Sequence, residues 1–147
     1  MVNLTINGRA IEAPEGTTIL EAAEANSIYI PRLCYLKDVH QMGACRLCVV
    51  EVEGAKTLIA SCLATVSPGM VVRTNSERVR SARKVLYELL LSNHAADCLI
   101  CSRNQTCELQ AMGKLLGVGE SRFEGARSPS HIDASVSVTR DMDKCIL

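Results

Sequence analysis

Eight cysteines in 147 residues, seven of them in two tight groups, constrain this sequence more than any other feature. The first group is Cys34, Cys45, Cys48 and Cys62, spaced C-x10-C-x2-C-x13-C. The second is Cys98, Cys101 and Cys107, preceded by His94 to give H-x3-C-x2-C-x5-C. Cys145 stands alone near the end. In a secreted chain an even cysteine count reads as a disulfide framework. Met1-Val2-Asn3-Leu4 has neither the basic start nor the apolar run of a secretory signal. The expectation is a reducing, cytoplasmic compartment, where clustered thiols serve metal or redox chemistry.

Composition removes two other classes. Net charge is zero and aromatic residues make up 3% of the chain, so there is neither the basic footprint nor the stacking rings of a nucleic-acid binder. The most apolar stretch, Val85 to Leu91, is too short to span a membrane and contains Glu88.

The first part of the chain reads as a small mixed domain. Val2, Leu4 and Ile6 alternate with polar residues as in a half-buried strand. Asn7-Gly8 is a two-residue hairpin turn, and a second strand runs to about Ala13. Thr18 and Glu21 form a capping box for a helix carrying Ile19, Leu20, Ala22, Ala23 and Ala25, with Asn26 as its stop. Ile28-Tyr29-Ile30 is extended, since Pro31 bars a helix. A compact loop then holds Cys34 to Cys48. Val49 to Val52 is a strand, Lys56 to Ala60 its hairpin partner, and Met70 to Thr74 the last strand.

From about Ser76 the chain turns helical. Val79, Ala82, Leu86, Leu89 and Leu90 form an apolar stripe, with Arg78, Arg80, Arg83 and Lys84 expected on a solvated face. A shorter helix is expected from about Thr106 to Leu116. Gly117, Gly119, Gly125 and Ser128-Pro129-Ser130 read as loop, and Val136 to Val138 as a short strand. His40 and His131 are expected to be surface or core residues.

The chemistry lies in the two groups. A C-x2-C pair on a tight loop can place two thiolates on one metal, leaving Cys34 and Cys62 for a second or for a mixed arrangement. Gly43 allows close backbone approach, and successive amides aimed at an anionic centre form a nest. Zinc also uses C-x2-C pairs and accepts a Cys3His set, so the spacing of either group alone leaves zinc open.

The first group resembles the cysteines of plant-type [2Fe–2S] ferredoxins, with a longer first gap than their C-x4-C. It is more similar to the ferredoxin-like domain that opens the large iron–sulfur subunit of respiratory complex I and the iron-only hydrogenases. The resemblance implies a β-grasp fold and a [2Fe–2S] cluster on Cys34, Cys45, Cys48 and Cys62. In the same families a following domain holds a [4Fe–4S] cluster through one His and three Cys. Carried over, those roles fall on His94, Cys98, Cys101 and Cys107. Neutral imidazole in place of a thiolate removes one negative charge and favours the reduced state. Asp141-Met142-Asp143-Lys144-Cys145 resembles the start of a ferredoxin C-x2-C-x2-C-x3-C-P run, with Cys145 as first ligand of a further [4Fe–4S] cluster whose other ligands are not in the sequence.

The resulting expectation is an α+β chain. Residues 1–75 form a β-grasp [2Fe–2S] domain, 76–130 a small helical His/Cys3 [4Fe–4S] domain, and 131–147 the start of a third, so that the chain is a piece of a longer subunit. There is no G-x-G-x-x-G, P-loop or nucleophile–base pair, so electron relay is expected and no active site of its own. Arg32-Leu33-Cys34-Tyr35-Leu36, Gly43 to Cys48 and Arg140 to Cys145 look most like the catalytic subunit of multi-subunit iron-only hydrogenases, NAD(P)-linked or electron-bifurcating. That resemblance implies flavin- and NAD(P)-binding partners, a small [2Fe–2S] partner subunit and exchange with ferredoxin. Complex I's large subunit and some formate dehydrogenases share the same front end. A zinc-stabilised interaction module without redox activity is the rival of another class.

Overall fold

The computed structural model describes residues 1–95, 97–125 and 132–145. The expected Ser128-Pro129-Ser130 loop and His131 lie outside them. The chain divides into two compact units, Met1–Arg83 and Lys84–Leu147.

The first unit is built from its N-terminal hairpin outward. Strands β1 (Val2–Ile6) and β2 (Arg9–Ala13) pair antiparallel, with Ile6 opposite Arg9. Asn7 and Gly8 have φ of 51° and 80°, the two left-handed residues that a type I′ turn needs. Val2, Leu4 and Ile6 point inward. Helix α1 (Ile19–Ala25) starts at the expected capping box: Thr18 accepts from the Glu21 amide and Glu21 accepts from the Thr18 amide. Asn26 ends it.

Between Cys34 and Cys48 the structure has a small hairpin where a loop was expected, β3 (Tyr35–Leu36) against β4 (His40–Gln41). Strand β5 (Val49–Val52) pairs with β6 (Ile59–Ala60), and β7 (Val71–Arg73) closes the sheet. The strand order is β2-β1-β7-β5-β6. Strand β7 lies parallel to β1 and antiparallel to β5, which makes the sheet mixed. Ile6, Ile19, Leu20, Ile30, Val50 and Val72, each fully buried, fill the core between sheet and helix. This is the β-grasp arrangement.

The first turn of α1 also anchors a neighbouring loop. The Ile19 and Leu20 amides, free at the start of any helix, donate to Ala64 O at 2.9 Å and Ser61 O at 3.0 Å. Helix α1 thereby holds the turn that carries Cys62. Thr18→Ala should cost about 1 kcal/mol in a denaturant titration. An unchanged midpoint would count against the cap.

Helix α2 (Glu77–Asn93) starts in the first unit and ends in the second. Its buried positions are not the expected stripe. Val79, Arg83, Tyr87 and Glu88 are buried, while Leu89 is 46% exposed. The expectation that Arg83 lies on a solvated face is overturned, because backbone carbonyls receive its guanidinium. Glu88 is buried because Arg122 pairs with it through two parallel bonds, Nε–Oε1 at 2.8 Å and a terminal guanidinium nitrogen to Oε2 at 2.6 Å.

Helix α3 (Glu108–Leu116) begins two residues later than expected, after a run of turns. Gly117, at φ 66°, caps its end. Strands β8 (Ile132–Ala134) and β9 (Thr139–Asp141) form a hairpin. Val136 and Val138, expected in a strand, sit exposed in its connection, where Ser135 accepts the Val138 amide. Among the described residues no helix is long and apolar enough to cross a membrane.

Candidate metal centres

Cys34, Cys45, Cys48 and Cys62 are between 1% and 5% exposed and none is in a disulfide. The sheet and α1 bring them together from three segments. Cys34 precedes β3, Cys45 and Cys48 lie on the loop before β5, and Cys62 follows β6. The geometry favours the mixed arrangement over a C-x2-C pair on one metal. Cys48 Sγ lies 3.2 Å from Cys62 Sγ, and the Cys45 amide donates to Cys34 Sγ at 3.3 Å. The C-x2-C pair is therefore split between two thiol pairs, Cys34 with Cys45 and Cys48 with Cys62.

Burial makes two of these thiols, Cys34 and Cys62, hard to ionise by themselves. Burial, then the neighbouring Cys48 thiol, pushes Cys62 up to about 12. Burial also raises Cys34. For Cys45 burial acts upward as the largest influence, but backbone hydrogen bonds at Cys34, Leu33 and Leu47 bring the thiol below its ordinary value. Thiolates in such a place need a metal's positive charge. The loop is shaped for this, with Gly43 at φ 61° and Arg46 at φ 59° turning its backbone.

Space beside Gly43 is short. A Cβ there would meet Leu63 Cδ1 at 2.5 Å. Gly43→Ala combines that overlap with a left-handed backbone, and should cost about 1–3 kcal/mol with partial loss of metal. A thermal midpoint and metal content equal to wild type would show that the loop gives way freely.

Residues that the sequence reading passed over position this loop. The Tyr35 hydroxyl donates to Glu21 Oε1 at 3.0 Å, so one carboxylate caps α1 and anchors the residue after Cys34. The Arg32 guanidinium lies 5.4 Å from the Tyr35 ring centroid and pairs with Glu24. Ser61, fully buried, donates from Oγ to Cys48 O at 2.7 Å. His40, expected to be a bystander, is exposed but its Nδ1 lies 3.1 Å from Cys34 O. None of these contacts leaves a periodic signal.

In the second unit His94, Cys98 and Cys107 line one cavity of about 1320 Å³ together with Tyr87, Leu109 and Gly113. Cys101 is on the same tight turn, its amide donating to Cys98 O at 3.2 Å, but is not on the cavity wall. His94 Nδ1 is buried and has no hydrogen-bond partner among the described residues. A buried orphan nitrogen is costly, and a metal bond would satisfy it. Tyr87, also passed over, donates its hydroxyl to Leu109 O at 2.8 Å. Burial raises the Tyr87 phenol, and the adjoining Cys107 and Cys98 thiols add to the rise. Gly113 leaves the space this hydroxyl fills, since a Cβ there would lie 2.5 Å from it. Cys145 is exposed after a 3-10 turn, and the Lys144–Asp97 ion pair at 2.5 Å ties that turn to the Cys98 loop.

Thiol-rich donors together with a buried imidazole nitrogen match iron–sulfur chemistry.

Residues 1–77 match the family of 2Fe-2S iron–sulfur cluster binding domains. The chain belongs to that family. Residues 83–122 match the NADH-ubiquinone oxidoreductase-G iron–sulfur binding region. The module thus carries one [2Fe–2S] and one [4Fe–4S] cluster and serves electron transfer. It is 47% identical over its whole length to the NADP-reducing hydrogenase subunit HndD of Solidesulfovibrio fructosivorans, covering 26% of that protein. It is 38% identical, over 99% of its length, to the mitochondrial NADH-ubiquinone oxidoreductase 78 kDa subunit of Candida albicans, covering 21% of it. The chain thus spans about a quarter of the length of these curated relatives. Among solved structures, a chain of an NAD+-reducing [NiFe]-hydrogenase in the H2-reduced state superposes with a TM-score of 0.91 at 35% identity, over 99% of this chain and 62% of that one.

Proposed function

We propose that Cys34, Cys45, Cys48 and Cys62 bind the [2Fe–2S] cluster and that His94, Cys98, Cys101 and Cys107 bind the [4Fe–4S] cluster. Cys145 is proposed as the first ligand of a further [4Fe–4S] cluster. The observation that carries this reading is the pairing of four buried free thiols in one unit with an orphaned His94 Nδ1 beside two thiols in the other. When bound, each cluster takes up and releases one electron without breaking bonds. The chain's own part is to exclude water, supply amide hydrogen bonds to sulfur and fix the local charge, which together set the potential.

The relatives support a parent activity. On this proposal the chain is the electron-relay front of the catalytic subunit of an NAD(P)-linked or electron-bifurcating iron-only hydrogenase, in the cytoplasm. Flavin- and NAD(P)-binding subunits, a small [2Fe–2S] subunit and ferredoxin are its partners. The higher identity to a protein named as an NADP-reducing hydrogenase subunit supports this. A second reading, the electron-input module of a complex I-type subunit, is supported by the NADH-ubiquinone oxidoreductase relative. The structural neighbour's name links the same architecture to a nickel–iron hydrogenase.

Two measurements test the proposal. Iron and acid-labile sulfide on anaerobically purified protein should give about six irons per chain from these two sites, with two EPR signals of different temperature dependence after dithionite reduction. Zinc without sulfide would leave an interaction module as the better account. In the native complex carrying this chain, hydrogen-driven NAD(P)+ reduction is expected. Quinone reduction by NADH with no hydrogen turnover would favour the second reading.

A further inference from the structure

Among the described residues two charged side chains are buried, and they are satisfied differently. Glu88 has the Arg122 guanidinium as counter-ion. Arg83, 4% exposed, is in none of the ion pairs found among the described residues. Its Nε donates to Leu47 O at 2.9 Å, and a terminal guanidinium nitrogen donates to Val49 O at 2.8 Å. Those carbonyls belong to the residues on either side of Cys48. They orient the planar fork but bring no charge. A buried cation without an anion is strongly disfavoured, so the location calls for a negative group nearby. Four thiolates shared by two irons would be such a group. A guanidinium stays protonated throughout the neutral range.

We infer that Arg83 is the built-in counter-charge of the [2Fe–2S] site, held against the Cys48 loop to raise the site's reduction potential. The inference rests on the ligand set proposed above. Reduction adds one negative charge to the site, and a fixed buried cation stabilises the reduced form more than the oxidised one. Arg83 is here a positioning and electrostatic residue, and does not ligate iron.

The test is a redox titration of the cluster-loaded protein followed by EPR, comparing wild type with Arg83→Lys, Arg83→Gln and Arg83→Met. Loss of the charge should lower the reduced-to-oxidised ratio at fixed ambient potential about tenfold, which is a 59 mV fall for one electron. Gln should fall with Met although it can still donate to the carbonyls, and Lys should stay near wild type. The [4Fe–4S] potential should not move. Wild-type potentials in both neutral variants would overturn the inference. If the neutral variants lose only the [2Fe–2S] signal and Lys keeps it, the need for a charge stands. If Lys loses it as well, the fork is a scaffold and the inference fails. A wild-type [2Fe–2S] signal that survives Cys48→Ala would instead sink the ligand set on which the inference rests.

Discussion

Cys48→Ala is expected to remove the [2Fe–2S] EPR signal and to lower the iron content from about six to about four per chain, leaving the [4Fe–4S] signal in place. The geometry favours ligand loss over unfolding. The Cys48 carbonyl, not its thiol, accepts from the Ser61 amide and hydroxyl, and both Arg83 bonds go to neighbouring carbonyls. All of these survive truncation of the side chain. What disappears is the thiol 3.2 Å from Cys62 Sγ, in a place with 1% exposure and little room for water as a substitute ligand. The cost in apoprotein stability should be on the order of 1 kcal/mol. Iron and sulfide analysis with EPR checks both halves of the prediction. An intact [2Fe–2S] signal in this variant would mean that Cys48 is not a ligand.

His94→Ala should have the converse effect, abolishing or converting the [4Fe–4S] signal and sparing the [2Fe–2S] signal. His94 Nδ1 is buried with no partner among the described residues, and a metal bond would satisfy it. Removing the ring should relieve an unsatisfied group in the apoprotein while removing a ligand from the loaded one. His94→Cys provides the finer measurement. It should keep a [4Fe–4S] cluster and lower its potential, because a thiolate adds the negative charge that imidazole lacks. A [4Fe–4S] signal unchanged in spectrum and potential in both variants would remove His94 from the ligand set. Cys48 and His94 belong to different compact units and share no hydrogen-bond partner among the described residues, so the two substitutions should act independently.

The two helices show where reading from sequence stops. Helix α1 follows from residues within a few positions of one another: Thr18 and Glu21 start it, and Asn26 ends it. Helix α2 was expected with Val79, Ala82, Leu86, Leu89 and Leu90 inward, because apolar spacing is the only inward signal a sequence carries. The buried set is Val79, Arg83, Tyr87 and Glu88. Arginine and glutamate are read as solvated until their partners are known, and those partners, Leu47, Val49 and Arg122, are 34 or more residues away along the chain. Val136 and Val138 fail in the other direction. Their alternation looks like a strand, but the hairpin pairs the residues on either side of them.

By itself the sequence determined what short-range rules govern: the Asn7-Gly8 turn, the capping box, and the number and spacing of donor residues, and so a thiol- and imidazole-based metal site. These depend on backbone sterics, local hydrogen bonds and ligand type, all written within a few residues. Only the tertiary structure decided which thiols adjoin, Cys34 with Cys45 and Cys48 with Cys62. It also placed Tyr35 on Glu21 and left His94 Nδ1 without a partner among the described residues. A buried guanidinium against the Cys48 loop belongs to the same class. Each is set by where the folded sheet and helices bring distant segments together, and desolvation acts only on that final arrangement.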